Sequence, residues 1–89
     1  MENIIRYELT NYIGHAIIHL RIKMNYTQED LAGYTGKNEK YIGRIERGEV
    51  RNITVDTLTD ISFGLKITPS KLVALAEELE RNAKTNMKE

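Results

Sequence analysis

Residues Thr27 to Gly48 read TQEDLAGYTGKNEKYIGRIERG. Thr27 is a good N-cap, and Gln28, Glu29 and Asp30 follow it in a first turn where acidic side chains suit the positive end of the helix dipole. The helix opened there runs to about Tyr34. Gly36 can take the left-handed backbone that stops a helix and redirects the chain, and Asn38 can cap a second helix that ends at Gly48. Leu31, Ile42 and Ile45 would face inward, and Ala32 would let the two helices approach closely. Asn38, Glu39, Lys40, Tyr41 and Arg44 are left pointing outward.

Upstream, Leu9, Ile13, Ile17, Leu20 and Met24 recur at spacings of three and four, with Ala16 widening the stripe. That spacing predicts a helix starting at Asn11, or near Asn3 if Ile5 joins the stripe. Downstream, Thr54 caps a helix carrying Val55, Leu58, Ile61 and Leu65. Thr68 followed by Pro69 is a cap with proline at the first helical position, opening a fifth helix with Leu72, Val73, Leu75, Ala76 and Leu79. From Asn82 the chain turns polar and is expected to fray. With a single proline and no clean strand-type alternation, the fold class is all-α. Residues 12–80 form one domain, 1–11 an N-terminal extension or the start of helix one, and 81–89 a polar tail.

A chain of 89 residues holds one small core. Cysteine is absent, which removes disulfides, thiolate zinc sites and thiol nucleophiles. The apolar runs at 16–18 and 72–76 fall far short of the roughly 20 residues that cross a bilayer, and the first residues lack a signal-peptide pattern. The expected location is cytoplasmic, with no membrane partner. Formal net charge is zero, yet residues 12–51 carry seven Lys and Arg against five Asp and Glu, a net of +2, and 52–89 a net of −1. One basic face fits that distribution, as does a solvated surface of mixed charge. His15 and His19 stand one turn apart, but Ala16 occupies the place of the glutamate that a metalloprotease helix requires, so no metal site is expected. Glu77, Glu78 and Glu80 lie beside Arg81 and Lys84 and read as a solvated face. Neither a glycine-rich phosphate loop nor a nucleophile context is present. The chain is not expected to be an enzyme or to take a cofactor or small-molecule substrate.

Two short helices about a tight turn, the second with a polar outward face, are the parts of a helix-turn-helix. The words TQEDLA and YIGRIERG, followed by Thr54-Val55-Asp56-Thr57-Leu58, resemble the lambda repressor/Cro-like regulators of the XRE family over residues 12–79. The resemblance implies a compact five-helix, lambda repressor-like DNA-binding domain with residues 38–47 as its recognition helix. It implies that Gln28 meets a phosphate together with backbone N–H groups. Lys40 and Arg44 fall where family members read bases, with Asn38, Glu39 and Tyr41 beside them. Arginine can hold guanine O6 and N7, and glutamate can accept from cytosine N4. Glu39 would repel phosphate unless it finds such an amino group or pairs with Lys40. For Lys40 and Arg44 the plain alternative is a solvated charge on an exposed helix. Arg47, Arg51 and Asn52 would touch the sugar-phosphate backbone, and Arg21 would tie helix one to the recognition helix through a structural ion pair with Glu46.

The phrase IERG followed by RNIT is also similar to the controller proteins of restriction-modification systems. Three features depart from that pattern: Glu49-Val50 lengthens the loop, Lys37 replaces an apolar residue, and Gly43 interrupts the recognition helix. Leu72, Val73, Leu75, Ala76 and Leu79 make helix five more apolar than a monomer needs. A two-fold dimer burying them would set two recognition helices about 34 Å apart, one turn of DNA; the alternative is that they pack only on their own core. The expected function is a homodimeric regulator on an inverted-repeat operator in double-stranded DNA. It would act by occluding a promoter or by contacting RNA polymerase, with autoregulation as its use. The other class of function is an antitoxin-like protein-interaction module, in which helix five or the tails, the segment Glu2 to Thr10 among them, hold another protein. So small a core leaves no effector pocket, so activity should follow concentration rather than a ligand.

Overall fold

The computed structural model describes the backbone of residues 2–87 and the side chains of residues 8–85. Within them the chain forms α1 (Glu2–Lys23), α2 (Gln28–Thr35), α3 (Glu39–Glu46), α4 (Val55–Gly64) and α5 (Pro69–Met87), with no strand. Local chemistry sets four of the starts. The Thr27 hydroxyl accepts the Asp30 N–H at 2.9 Å while the Asp30 carboxylate accepts the Thr27 N–H at 2.9 Å, a reciprocal capping box. Asn38 Oδ1 accepts the Tyr41 N–H at 2.8 Å, Thr54 the Thr57 N–H at 3.1 Å, and Thr68 the Lys71 N–H at 3.3 Å. Gly36 ends α2 in the left-handed region at φ 70°.

Two boundaries differ from expectation, and one open alternative is decided. Helix α1 takes the earlier of the two starts, at Glu2; the side chain of Ile5 lies outside the described residues. Helix α3 stops at Glu46, two residues before Gly48. Helix α5 continues through the polar stretch after Asn82 to Met87. Arg81, Ala83 and Lys84 are good helix formers, and Lys84 Nζ reaches Glu80 at 3.3 Å and Glu8 of α1 at 3.2 Å, which holds this turn against α1.

The core draws on every helix: Ile13, Ala16 and Ile17, then Leu31 and Ala32, Ile42 and Ile45, Ile61 and Leu65, and Leu72 with Ala76. Helix α5 packs along α1, α3 rests against α1 and α2, and α4 lies between α2 and α5. At Gly14 the backbones of α1 and α3 meet directly. A β-carbon there would collide with the Ile45 carbonyl and stand 2.8 Å from that of Glu46, so only glycine permits the approach. Two expectations are corrected. Val55, placed in the buried stripe of α4, is 76% exposed, because it falls on the outer side of the helix in line with exposed Thr59 and Phe63. Leu72 and Ala76, expected at a dimer surface, are fully buried in the chain's own core, leaving Val73, Leu75 and Leu79 half-buried.

Candidate nucleic-acid interface

Helix α3 is amphipathic over two turns. Ile42 and Ile45 bury one face, and Glu39, Lys40 and Arg44 are exposed on the other. No ion pair among the described residues engages Lys40 or Arg44. With Asn38 and Tyr41 these residues line a shallow concavity of about 460 Å³. Tyr41 departs from the expected outward set: it is half-buried, with part of its ring packed against the core. Asn38 commits its carbonyl oxygen to the cap of α3 and is exposed at the helix start.

One buried carboxylate fixes the orientation of α3. Glu46, its side chain 3% exposed, accepts Arg21 Nε at 2.7 Å and Nη2 at 3.1 Å, a two-pronged pairing. Its Oε1 also accepts the Gln28 amide N–H at 2.8 Å, and Arg21 Nη1 donates to the Tyr26 carbonyl at 3.0 Å. Helix α1, the turn after it, the start of α2 and the end of α3 thus converge on one charge-assisted cluster. The Gln28 carboxamide, on the first residue of α2, therefore spends one N–H on Glu46 inside the protein. Gln28 and Arg47 both lie over Gly43, with Arg47 Nη1 3.1 Å and Gln28 Oε1 3.5 Å from where a β-carbon would stand.

Past α3, Arg47 closes onto Glu49, with Nε to Oε2 at 2.9 Å and Nη2 to Oε1 at 3.4 Å. The hydrogen bond from Arg47, with its charge, holds the Glu49 carboxyl below its ordinary value, and Glu49 in turn raises the already high value of Arg47. Arg51 and Asn52 are exposed in the loop to α4, where the Arg51 carbonyl accepts the Thr10 hydroxyl at 3.4 Å. Lys37, the cation in an apolar place, pairs with Asp60 of α4 at 3.0 Å and so braces the turn. Neither Glu49 nor Asp60 was anticipated, because each acts only through a partner that the fold supplies. His15 and His19 are exposed on α1, and no group of three potential metal ligands occurs among the described residues. No described helix is long and apolar enough to cross a membrane.

The profile of the helix-turn-helix family matches residues 17–72, from the second half of α1 into the first turn of α5. The chain belongs to the helix-turn-helix family. This helix-turn-helix protein is 30% identical over 71 residues to y4dJ of Sinorhizobium fredii, named an uncharacterized HTH-type transcriptional regulator, covering 80% of the chain and 91% of the relative. Among solved structures it is similar to the restriction-modification controller protein C.AhdI of Aeromonas hydrophila. That match has a TM-score of 0.67 and 28% identity, over 71% of this chain and 94% of the other. The clp gene regulator ClgR of Corynebacterium glutamicum shares the fold, with a TM-score of 0.77 at 18% identity over 89% of this chain and 85% of the other. The helix-turn-helix family is one of DNA-binding transcriptional regulators, the XRE type, and its all-α five-helix architecture is the one seen here.

Proposed function

We propose that the protein is a homodimeric, sequence-specific transcriptional regulator that lays α3 in the major groove of an inverted-repeat operator and controls its own promoter. The observation that carries this is the exposed face of Asn38, Glu39, Lys40 and Arg44 on a helix whose opposite face is locked by Ile42, Ile45 and the Arg21–Glu46–Gln28 cluster. Lys40 and Arg44 stand exposed and enter no ion pair among the described residues, so both are available to a polyanion. In this reading Arg44 and Lys40 contact base edges, while Gln28, Arg47, Arg51 and Asn52 hold the backbone. Occlusion of the promoter or contact with RNA polymerase follows from where the operator lies. The similarity to a restriction-modification controller protein supports a regulatory use.

Selection from randomised duplex DNA, read by sequencing and repeated with the Lys40→Ala, Arg44→Ala double variant, tests the proposal. Enrichment of a palindromic site that the double variant loses is the expected result. Weak, salt-sensitive binding with no enriched site would overturn it and make the helix-turn-helix a scaffold for another partner.

A further inference from the structure

A core this small gives no reason to expect an effector pocket, yet the surface opens a cleft where α2 meets the junction of α4 and α5. Gly64 permits the approach: a β-carbon there would stand 2.6 Å from Thr35 Cγ2 and 3.6 Å from Tyr34 Cβ, so the end of α2 lies directly on the last residue of α4. The Tyr34 ring, packed against that of Tyr26 at 5.0 Å between centroids, lines with Phe63 and Ile67 a cleft of about 540 Å³. Tyr34 is 60% and Phe63 78% exposed, although each ring is large enough to fill a core. Two cations border this apolar surface. Lys66 and Lys71 are exposed and enter no ion pair among the described residues, and no Asp or Glu lines the cleft. The backbone that carries Lys66 is fixed. Its N–H donates to the Phe63 carbonyl at 3.0 Å and the Ile67 N–H to the Ser62 carbonyl at 3.0 Å, with Lys66 in the left-handed region at φ 61°. None of the lining residues lies on α3, so the cleft is separate from the concavity of Asn38 to Arg44.

We propose that this cleft binds a small aromatic carboxylate, its ring laid among Tyr26, Tyr34 and Phe63 and its carboxylate paired with the ammonium groups of Lys66 and Lys71. The volume falls within the range of about 300–1,000 Å³ that small-molecule sites occupy, and a few placed charges on an otherwise apolar lining are their usual make-up. An aromatic ligand gains offset or edge-to-face contacts with the three rings, beyond the apolar area it covers. Its sign of charge is set by the lysines, because a cationic ligand would meet two like charges with no carboxylate to offset them. Phosphate groups are commonly gripped by arginine forks, and no arginine lines the cleft. The apolar surface is confined to four side chains, enough for one ring and too little for a protein interface. A bound ligand would fasten α2 to the junction of α4 and α5. The inference stands apart from the DNA reading, since it needs neither an operator nor a dimer.

Titration of the nitrogen-labelled intact chain with phenylacetate, followed through its amide NMR signals without DNA, tests the site. Saturable shifts confined to the surroundings of Tyr26, Tyr34 and residues 63–71, with a Kd on the order of 1 mM, are the expected result. Phenylacetamide, which keeps the ring and loses the charge, should bind about tenfold more weakly, and phenethylamine more weakly still. Acetate and inorganic phosphate, which lack the ring, should give no saturable shift. Lys66→Gln together with Lys71→Gln should erase the preference for the acid over the amide, whereas Phe63→Ala should weaken both by about fivefold. Lys23→Gln, on α1 and outside the cleft, should change neither. Since all these side chains are exposed, melts of the unliganded variants should match the parent. Acid and amide binding within about twofold of each other overturns the inference. So do shifts centred on another face, no saturation by roughly 10 mM, or phosphate binding as tightly as phenylacetate. Shifts of the same amides on raising the protein concentration alone would put a second copy in the cleft and overturn it as well.

Discussion

Gln28 Nε2 donates to Glu46 Oε1 at 2.8 Å, so the side chain that the proposed function assigns to a phosphate is hinged on a buried carboxylate. Its position is set by the core, and in that reading the carboxamide is already held in place for a phosphate at the N-terminus of α2. Gln28→Ala should leave stability nearly unchanged, because Glu46 keeps its Arg21 partner. It should weaken DNA binding by about tenfold or more on all sequences alike, the cost of a hydrogen bond to a charged group. Anisotropy titrations on operator and unrelated duplexes check this; a change confined to the operator would contradict it.

Arg21→Ala leaves the Glu46 carboxylate buried without its cation. Unpaired buried charges cost about 3–5 kcal/mol, a large share of the stability of a domain this small. Urea melts should show that loss, and adding Glu46→Gln should restore part of it by removing the orphaned charge. A change under about 1 kcal/mol would mean that water already reaches the pair.

Two glycines should respond with opposite signs. Gly14→Ala forces a methyl group into the carbonyls of Ile45 and Glu46, backbone atoms that cannot step aside, so it should destabilise by about 1–3 kcal/mol or more. Gly33, on the exposed side of α2, has nothing within 4 Å of an added β-carbon. Gly33→Ala should therefore stabilise by up to about 1 kcal/mol through helix propensity alone. Paired thermal melts of the two variants give the comparison.

Glu49 occupies the Arg47 guanidinium, which the proposed function assigns to the DNA backbone. Glu49→Gln should tighten binding on every sequence and steepen the salt dependence by about 0.9, one further released counterion. In an Arg47→Ala background the same change should have little effect. The Glu49 carboxyl is held down in the folded chain by its hydrogen bond from Arg47, so the pairing is present above the ordinary value near 4.5 and is lost as pH falls through the lowered one. Carbon-detected NMR should place the Glu49 midpoint below 4.5, moving back up in Arg47→Ala.

Much of this was legible in the sequence where the chemistry is local. Thr27, Asn38, Thr54 and Thr68 each cap a helix by bonding an N–H three residues ahead, so the signal lies within one short window. The inward positions Leu31, Ile42 and Ile45 follow from period alone. The extension of α5 past Asn82 was hidden because one of its anchors, Glu8, is far away in sequence. Lys37 looked misplaced until Asp60 came beside it, and Glu49 gained a role only when the loop turned it towards Arg47. Val55 and Leu72 share the same apolar character, yet one projects outward and the other is sealed in. Hydrophobicity states what a side chain prefers, and only the arrangement of all five helices decides which of them is covered.

The split between the two faces of α3 separates what this protein must keep from what it is free to change. Ile42, Ile45 and Glu46 are bound into the core, whereas Glu39, Lys40 and Arg44 lean on nothing inside the domain. Those three outward positions can be rewritten with little penalty in folding. If α3 reads DNA as proposed, a lineage descended from this chain could acquire a new genomic address through a few codon changes, with the scaffold that carries it inherited intact.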